Sequence, residues 1–332
     1  MKRLDPMFSI AIPVRNGAHY LRAALDSALQ QSYDDFEICI SENASSDETL
    51  SILNEYVQKD KRVRFSRTEK LIPMGDNWNR VCRMAHGRWI KMLAHDDLLR
   101  GDCLEKIVME LGALTESERK QVGLIGTGED KLFGNVERRG LSLKNGDSVL
   151  LLRKRYIVAL IRGESKIPLP GIVTATLSNR VFQEGHAYDN RFGHLDIFLY
   201  MKLCCHYDYL YIPANLCVNR VQNDSVTATQ LKGSKSVYEW RIFGREFLAT
   251  EGRILNLGWW GELRLQLKTV GDAAAKVATY GLICADIKPA WGAITAVPLW
   301  QMPLLPVLIF RSWVRARRLV KTLQLPGKII FP

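Results

Sequence analysis

The chain has 332 residues and a mass of 37.8 kDa, room for one large domain or two modest ones. With 47% hydrophobic and 24% charged residues it is of ordinary globular composition, which excludes wholesale disorder, collagen and coiled coil. The net charge of +11 is uneven: residues 261–332 carry ten basic and three acidic side chains, a net +7 that points to an anionic surface such as membrane lipid or nucleic acid.

FSIAIPV (8–14) is short and β-branched, the pattern of a strand buried on both faces. Leu21, Leu25 and Leu29 then give one stripe of a helix. FEICIS (36–41) predicts a second strand, and Ser45 with Glu48 predicts a capping-box start for a helix whose stripe is Leu50, Leu53 and Val57. VRFSRT (63–68) is a third strand. Trp78, Val81, Cys82 and Ala85 form a helix face ended by Gly87, and WIKML (89–93) is the fourth strand. Leu104, Ile107, Val108 and Leu111 mark another helix, followed by the strand VGLIG (122–126).

The stretch 127–235 is less regular, with the strand TATLS (174–178), a helix near 196–204 and the strand LCVNR (216–220). A helical run from about 237 to 283 leads into Ala290–Phe310, 21 residues without a charge. That is long enough to cross a bilayer. Pro298, Pro303 and Pro306 interrupt it, however, and basic residues flank both ends, which fits an in-plane or re-entrant segment better than a span. A buried helical layer or a dimer contact is the alternative. The seven cysteines form no CxxC pair, so buried thiols in a reducing compartment are expected, without disulfides or zinc. Lys2 and Arg3 precede only seven apolar residues, too few for a secretory leader.

Alternating strands and helices predict an α/β fold with a parallel sheet, whose ligand crevice lies beyond the C-terminal ends of the strands. Polar clusters fall there: Asn16 after the first strand, Glu42 to Asp47 after the second, and Asp96–Asp97 after the fourth. Two adjacent carboxylates repel unless a cation lies near them, and carboxylates with phosphate oxygens form the shell that Mg²⁺ or Mn²⁺ prefers. Capping of the next helix is the plainer reading of the pair. Glu42 and Asn43 are short acceptors suited to a uracil edge or ribose hydroxyls, beside a helix start with free N–H groups. No GxGxxG follows a predicted strand, and GxxxxGK[ST], HExxH and GxSxG are all missing. Dinucleotide oxidoreductases, P-loop NTPases, zincins and α/β-hydrolases are therefore disfavoured.

The blocks SIAIPVRNGAHYLRAALDSALQQSYDDFEICISENASSDET (9–49) and MGDNWNRVCRMAHGRWIKMLAHDDLL (74–99) resemble family-2 glycosyltransferases of the GT-A fold. The resemblance continues more weakly through 188–203 to 218–228. It implies a Rossmann-like, mostly parallel sheet with helices on both faces. The catalytic domain would span 1–230, followed by a helical, basic, membrane-associating region over 231–332. By position, it implies a nucleoside pocket lined by Pro13, Asn16, Glu42 and Asp47, with Asn79 on the helix flanking the donor. Asp96 and Asp97 match the acidic motif that holds the sugar diphosphate with Mn²⁺ or Mg²⁺, and His95 stands where relatives often carry a further Asp. Asp196 matches the general base, and Arg220 and Ser225 a late motif near the diphosphate. Leu195 and Gln222 depart from the usual pattern and leave open a non-catalytic nucleotide- or glycan-binding module. Nucleic-acid binding rests on net charge alone. The implied activity is inverting transfer from a UDP-sugar to a glycan or polyprenyl-linked acceptor in surface polysaccharide assembly. The expected location is the cytoplasmic face of the inner membrane.

Overall fold

The structure is a computed structural model that describes residues 5–140, 149–152, 155–162, 165, 167–222 and 235–255. Its first four strands are β1 (Phe8–Val14), β2 (Phe36–Glu42), β3 (Val63–Arg67) and β4 (Trp89–Met92), separated by α1 (Leu21–Leu29), α2 (Thr49–Lys59) and α3 (Met74–Met84). Beyond them come β5 (Leu98–Leu99), α4 (Cys103–Ala113), α5 (Glu116–Gln121), β6 (Val122–Phe133) and β7 (Val136–Arg138). After β8 (Leu150–Leu152), α6 (Arg155–Arg162), β9 (Ala175–Ser178) and α7 (Asn179–Gln183), the helix α8 (Leu195–His206) leads into β10 (Asp208–Val221). The last described helices are α9 (Lys235–Thr250) and α10 (Gly252–Leu255).

The strands form one sheet in the order β3-β2-β1-β4-β9-β6-β10-β5, with β7 on β6 and β8 on β10. Pairing is parallel among β1 to β4. It is antiparallel at β4–β9, β9–β6, β6–β7, β10–β5 and β10–β8. The sheet is therefore mixed rather than mostly parallel.

Alternation along the buried strands sorts side chains between two helical layers. Ile10, Ile12, Ile38 and Ile40 join the core built by Leu21, Leu25, Ile52, Leu53, Leu104 and Ile107 on α1, α2 and α4. On the opposite face α3 packs against β1 and β2. The small and flexible Cys39, Cys82 and Met92 fill that layer, with Cys82 Sγ 3.7 Å from Met92 Sδ. Six described cysteines are buried free thiols.

The helix α2 begins later than Ser45–Glu48 suggests. Ser45 is held by the β1 and β2 loops, so it caps nothing, and the buried stripe becomes Thr49, Ile52, Leu53 and Tyr56, leaving Val57 exposed. A capping box does form at Thr115 and Glu118, starting α5.

The described residues fall into two compact units. One holds the residues up to Ile157, then 167–190 and 194–220. The other holds 158–162, Ser165, 191–193, 221–222 and 235–255. Within the second unit, Phe243 and Phe247 of α9 are buried, the Phe192 and Phe243 rings meet edge-on at 5.9 Å, and Arg191 pairs with Glu246 at 2.7 Å. Ala290–Phe310 and the basic stretch after it lie outside the described residues. Among the described residues no helix is long and apolar enough to cross a membrane.

Candidate active site

The strand order reverses at β1, with β2 on one side and β4 on the other, and such a switch point opens a crevice at the C-terminal ends. Three loops line it. The loops after β1 and β2 are laced together: Asn16 N–H donates to Ser45 Oγ (2.9 Å), Gly17 N–H to Thr49 Oγ1 (2.8 Å) and Ala18 N–H to Asp47 Oδ2 (3.0 Å). In return Ser46 N–H donates to Asn16 Oδ1 at 2.9 Å. Asn16 (φ +49°) and Ala44 (φ +48°) both adopt left-handed backbone, a strained choice for alanine that these hydrogen bonds hold in place.

Several polar side chains of this crevice turn inward. Glu42 is fully buried: Oε1 accepts from Ser45 N–H at 2.6 Å and Oε2 lies 3.0 Å from Arg67 Nε. Asn43 clasps the Ile72 peptide through both ends of its amide, at 2.9 Å each. Burial works against charge on Asp47, but hydrogen bonds from Thr49 and Ala18 outweigh it and hold the carboxyl below its usual range. Asn79 likewise binds both sides of the Tyr188 backbone, at 2.8 Å, and so fixes the segment that leads to α8.

The third loop carries the acidic pair. Asp97 is 3% exposed, and its Oδ1 accepts the Arg220 backbone N–H at 2.7 Å. Arg220 Nε in turn donates to the Asp96 carbonyl at 2.9 Å, and its guanidinium lies 4.4 Å from the centre of the Tyr20 ring. Arg220 thus fastens β10 to both the β4 loop and the start of α1. Burial pushes the Asp97 carboxyl well above the usual aspartate range, and the charge of Asp96 adds to the rise. Asp96 itself is half-buried. The His95 ring packs against Gly17, where a Cβ would stand 2.8 Å from the ring and 2.6 Å from Val14 Cγ2. Gly17 thus leaves room for the close approach of both side chains.

Asp196 sits in the first turn of α8, half-buried, with Oδ1 accepting from Ile197 N–H at 2.9 Å. Desolvation pushes Asp196 above the usual range, and its charge helps raise the neighbouring Tyr188 and Tyr200 hydroxyls. A carboxylate raised in this way is a better proton acceptor than one in water.

Residues 9–116 match the Glycosyl transferase family 2 profile. The Escherichia coli chondroitin synthase is 34% identical over 146 residues, which cover 44% of this chain and 20% of that one. The match to glycosyl transferase family 2 covers about a third of the chain. Its fold is the GT-A glycosyltransferase fold, shared with S. aureus TarS in complex with UDP-GlcNAc (TM-score 0.63, 16% identity, 96% of this chain and 92% of that one). It is shared also with the mannosyltransferase PcManGT from Pyrobaculum calidifontis in complex with GDP-Man and Mn²⁺ (TM-score 0.58, 17% identity, 94% and 87%).

Of the residues that the family resemblance implies, the structure brings Asp96, Asp97 and Arg220 into direct contact, and gathers Asn16, Glu42 and Asp47 in the adjoining loops. Pro13 lies buried in β1 opposite Ser41. Glu42, Asn43 and Asn79 also hold neighbouring backbone groups of Ser45, Ile72 and Tyr188. Ser225 lies outside the described residues. Three residues went unnoticed in the sequence: Tyr20 under Arg220, Arg67 on Glu42, and Lys91, a charge inside the apolar run WIKML. Only the last leaves a signal in one sequence.

Proposed function

We propose that this glycosyltransferase moves a sugar, with inversion, from a nucleotide-diphosphate sugar to a hydroxyl of a glycan or lipid-linked glycan acceptor. UDP-sugars are the preferred donors. The observation that carries the reading is the acidic pair at the switch point, tied by Arg220 to β10 and packed at the open end of β4. The UDP-GlcNAc complex of TarS and the GDP-Man and Mn²⁺ complex of PcManGT are consistent with such a donor and metal.

Mn²⁺ or Mg²⁺ fits these residues. Burial and Asp96 both oppose charge on Asp97, and a divalent cation would offset both. Asp96 and Asp97 offer hard oxygen ligands. Among the described residues no third His, Cys, Asp or Glu converges on them, so diphosphate oxygens and water would complete the shell. When bound, the ion supplies positive charge for the departing diphosphate. The chain's own residues do the rest. Asp96 and Asp97 hold and orient, Arg220 adds a fixed cation at the same edge, and Asp196 takes the proton of the acceptor hydroxyl at its carboxylate.

A transfer assay across UDP-, GDP- and dTDP-sugars with Mn²⁺ tests the activity, and no turnover or binding with any donor would overturn it. Asp196→Asn should cut turnover about 10²- to 10⁴-fold, as loss of a general base does, while UDP affinity by calorimetry stays close to that of the wild type. The charge of +7 over 261–332 and the apolar stretch 290–310 support a peripheral position on the cytoplasmic face of the inner membrane, beside a lipid-linked acceptor. Co-sedimentation with anionic but not neutral vesicles is the expected result.

A further inference from the structure

The helix α3 is held on two sides by different parts of the molecule. On the strand side, Ser41 Oγ donates to Asn77 Oδ1 at 2.6 Å and Asn77 Nδ2 donates to Ser41 O at 3.2 Å. Arg80 Nη1 donates to Ser41 Oγ at 2.7 Å and to Ser66 O at 2.8 Å. Ser41 lies on β2 directly before Glu42, and Ser66 lies on β3. Asn43, the next residue of the same loop, clasps the Ile72 peptide just ahead of the helix. These bonds fasten α3 to the loop that the family resemblance assigns to the nucleoside.

The other side meets the approach to α8. Asn79 is buried and binds both backbone groups of Tyr188: Nδ2 donates to Tyr188 O, and Tyr188 N–H donates to Oδ1, at 2.8 Å each. The Trp78 ring stands edge-on to the Tyr188 ring, with 5.1 Å between centres. The Tyr188 hydroxyl reaches that of Tyr200 at 3.4 Å. Tyr200 lies one turn of α8 beyond Asp196, at the i+4 spacing of a shared face. Gly75, one turn before Asn79, comes bare against the same segment: a Cβ there would stand 2.5 Å from Asn190 Oδ1 and 3.2 Å from Leu195 Cδ2. Leu195 is the residue before Asp196. Residues 75, 78 and 79 thus share one face of α3, and 77 and 80 share another. In an interior packed this closely, a shift on one face is felt on the other.

We propose that Asn79 is a positioning residue: through Tyr188 it sets α8, and with it Asp196, relative to the donor loop held by the opposite face of α3. It acts on the backbone of Tyr188 and touches no reacting atom. The inference rests on the assignment of Asp196 as base.

The two faces of α3 should fail differently. Asn79→Ala removes both bonds to Tyr188. Its kcat should fall about tenfold or more while Kd for UDP by calorimetry stays within about threefold of wild type, because a misplaced base costs rate and not donor binding. Asn77→Ala releases β2 instead, and it should weaken UDP binding about threefold or more with the smaller change in kcat. Tyr188→Phe keeps the ring and the backbone bonds and deletes only the hydroxyl that meets Tyr200. Its kcat should drop about twofold to fivefold at unchanged UDP affinity, the size of one lost hydrogen bond. Thermal melts establish that each variant is folded at the assay temperature. An unchanged kcat in folded Asn79→Ala would overturn the proposal, and so would a loss of UDP affinity as large as the loss of kcat. A loss confined to kcat in Asn77→Ala would erase the division between the faces and overturn it as well. Should Asn79→Ala fail to fold, Tyr188→Phe decides by the same two readouts. An inert wild type, or a fully active Asp196→Asn, would instead sink the functional reading. A dead Asp196→Asn beside a normal Asn79→Ala would sink this inference alone.

Discussion

At the N-terminal ends of β1, β2 and β4, Glu37 accepts from Ser9 Oγ (2.6 Å), His86 N–H (2.7 Å) and Arg64 Nε (3.0 Å), while Ser9 Oγ also receives Gly87 N–H at 2.8 Å. At the other end of the same strands, Asp97 meets the Arg220 N–H and the charge of Asp96. Burial works against both acids. Around Glu37 the hydrogen bonds from Arg64, Ser9 and His86 prevail and lower the carboxyl to about 2, whereas Asp97 is pushed well above its usual value. The comparison separates a carboxylate that closes a structure from one that is left to meet something else. The first is saturated by its own chain, and the second gains only when positive charge arrives.

The contrast can be broken most forcefully at Glu37. Its pKa falls from 4.5 unfolded to about 2 folded, so its stabilisation is complete above pH 4.5 and is lost as pH drops toward 2. Glu37→Gln should lower stability at pH 7 by about 3 kcal/mol at most, from 1.36 kcal/mol per pKa unit, with the difference from wild type fading over that window in urea melts. Glycines extend the test. A Cβ on Gly87 would sit 2.4 Å from Ser9 N and 2.5 Å from Phe8 C, backbone atoms that cannot step aside. Gly87→Ala should cost about 1–3 kcal/mol by overpacking.

At the open end the signs change. Ionised Asp97 opposes folding increasingly as pH rises from 3.8 through its raised folded value, so Asp97→Asn should leave thermal stability at pH 7 equal or raise it by about 1–2 kcal/mol. Adding UDP with Mn²⁺ should reverse the order, because the wild type gains ligand stabilisation that the variant forgoes. A variant less stable than the wild type without ligand would erase the distinction between the two ends. The smallest effect is expected for Gly17→Ala. Its Cβ meets the Val14 and His95 side chains, which can shift, so a loss of about 1 kcal/mol or less should accompany a weaker KM for the donor in steady-state assays.

The parallel half of the sheet was legible because its strands are apolar throughout and its helices carry clean stripes, so β1 to β4 fall within a residue or two of the expected bounds. The antiparallel half was not. The strand β6 runs on past Gly126 through the polar TGEDKLF, and β10 starts eight residues ahead of the apolar LCVNR. The partners of β10 lie far along the chain, while the end of β6 pairs with β7 in a polar hairpin that shows no apolar alternation. The acidic pair stood out by its position after β4. The fate of Glu42 did not, since whether its carboxylate faces the crevice or folds onto Arg67 depends on a residue 25 positions away. Tyr20 and Arg220 meet across two hundred positions, and nothing in either neighbourhood announces it.

One imino acid near the start of the chain shapes the mouth of the molecule. Ala11 O bonds Leu93 N–H across to β4, while Val14 O bonds Asn43 N–H on the β2 side, so the edge of Pro13 is turned toward β4. It has no hydrogen to offer there. The pairing of β1 with β4 ends at Ala11 and Met92, and the next bond in the ladder would have needed a donor at Pro13. A single ring at the end of β1 therefore sets where its ladder with β4 can stop.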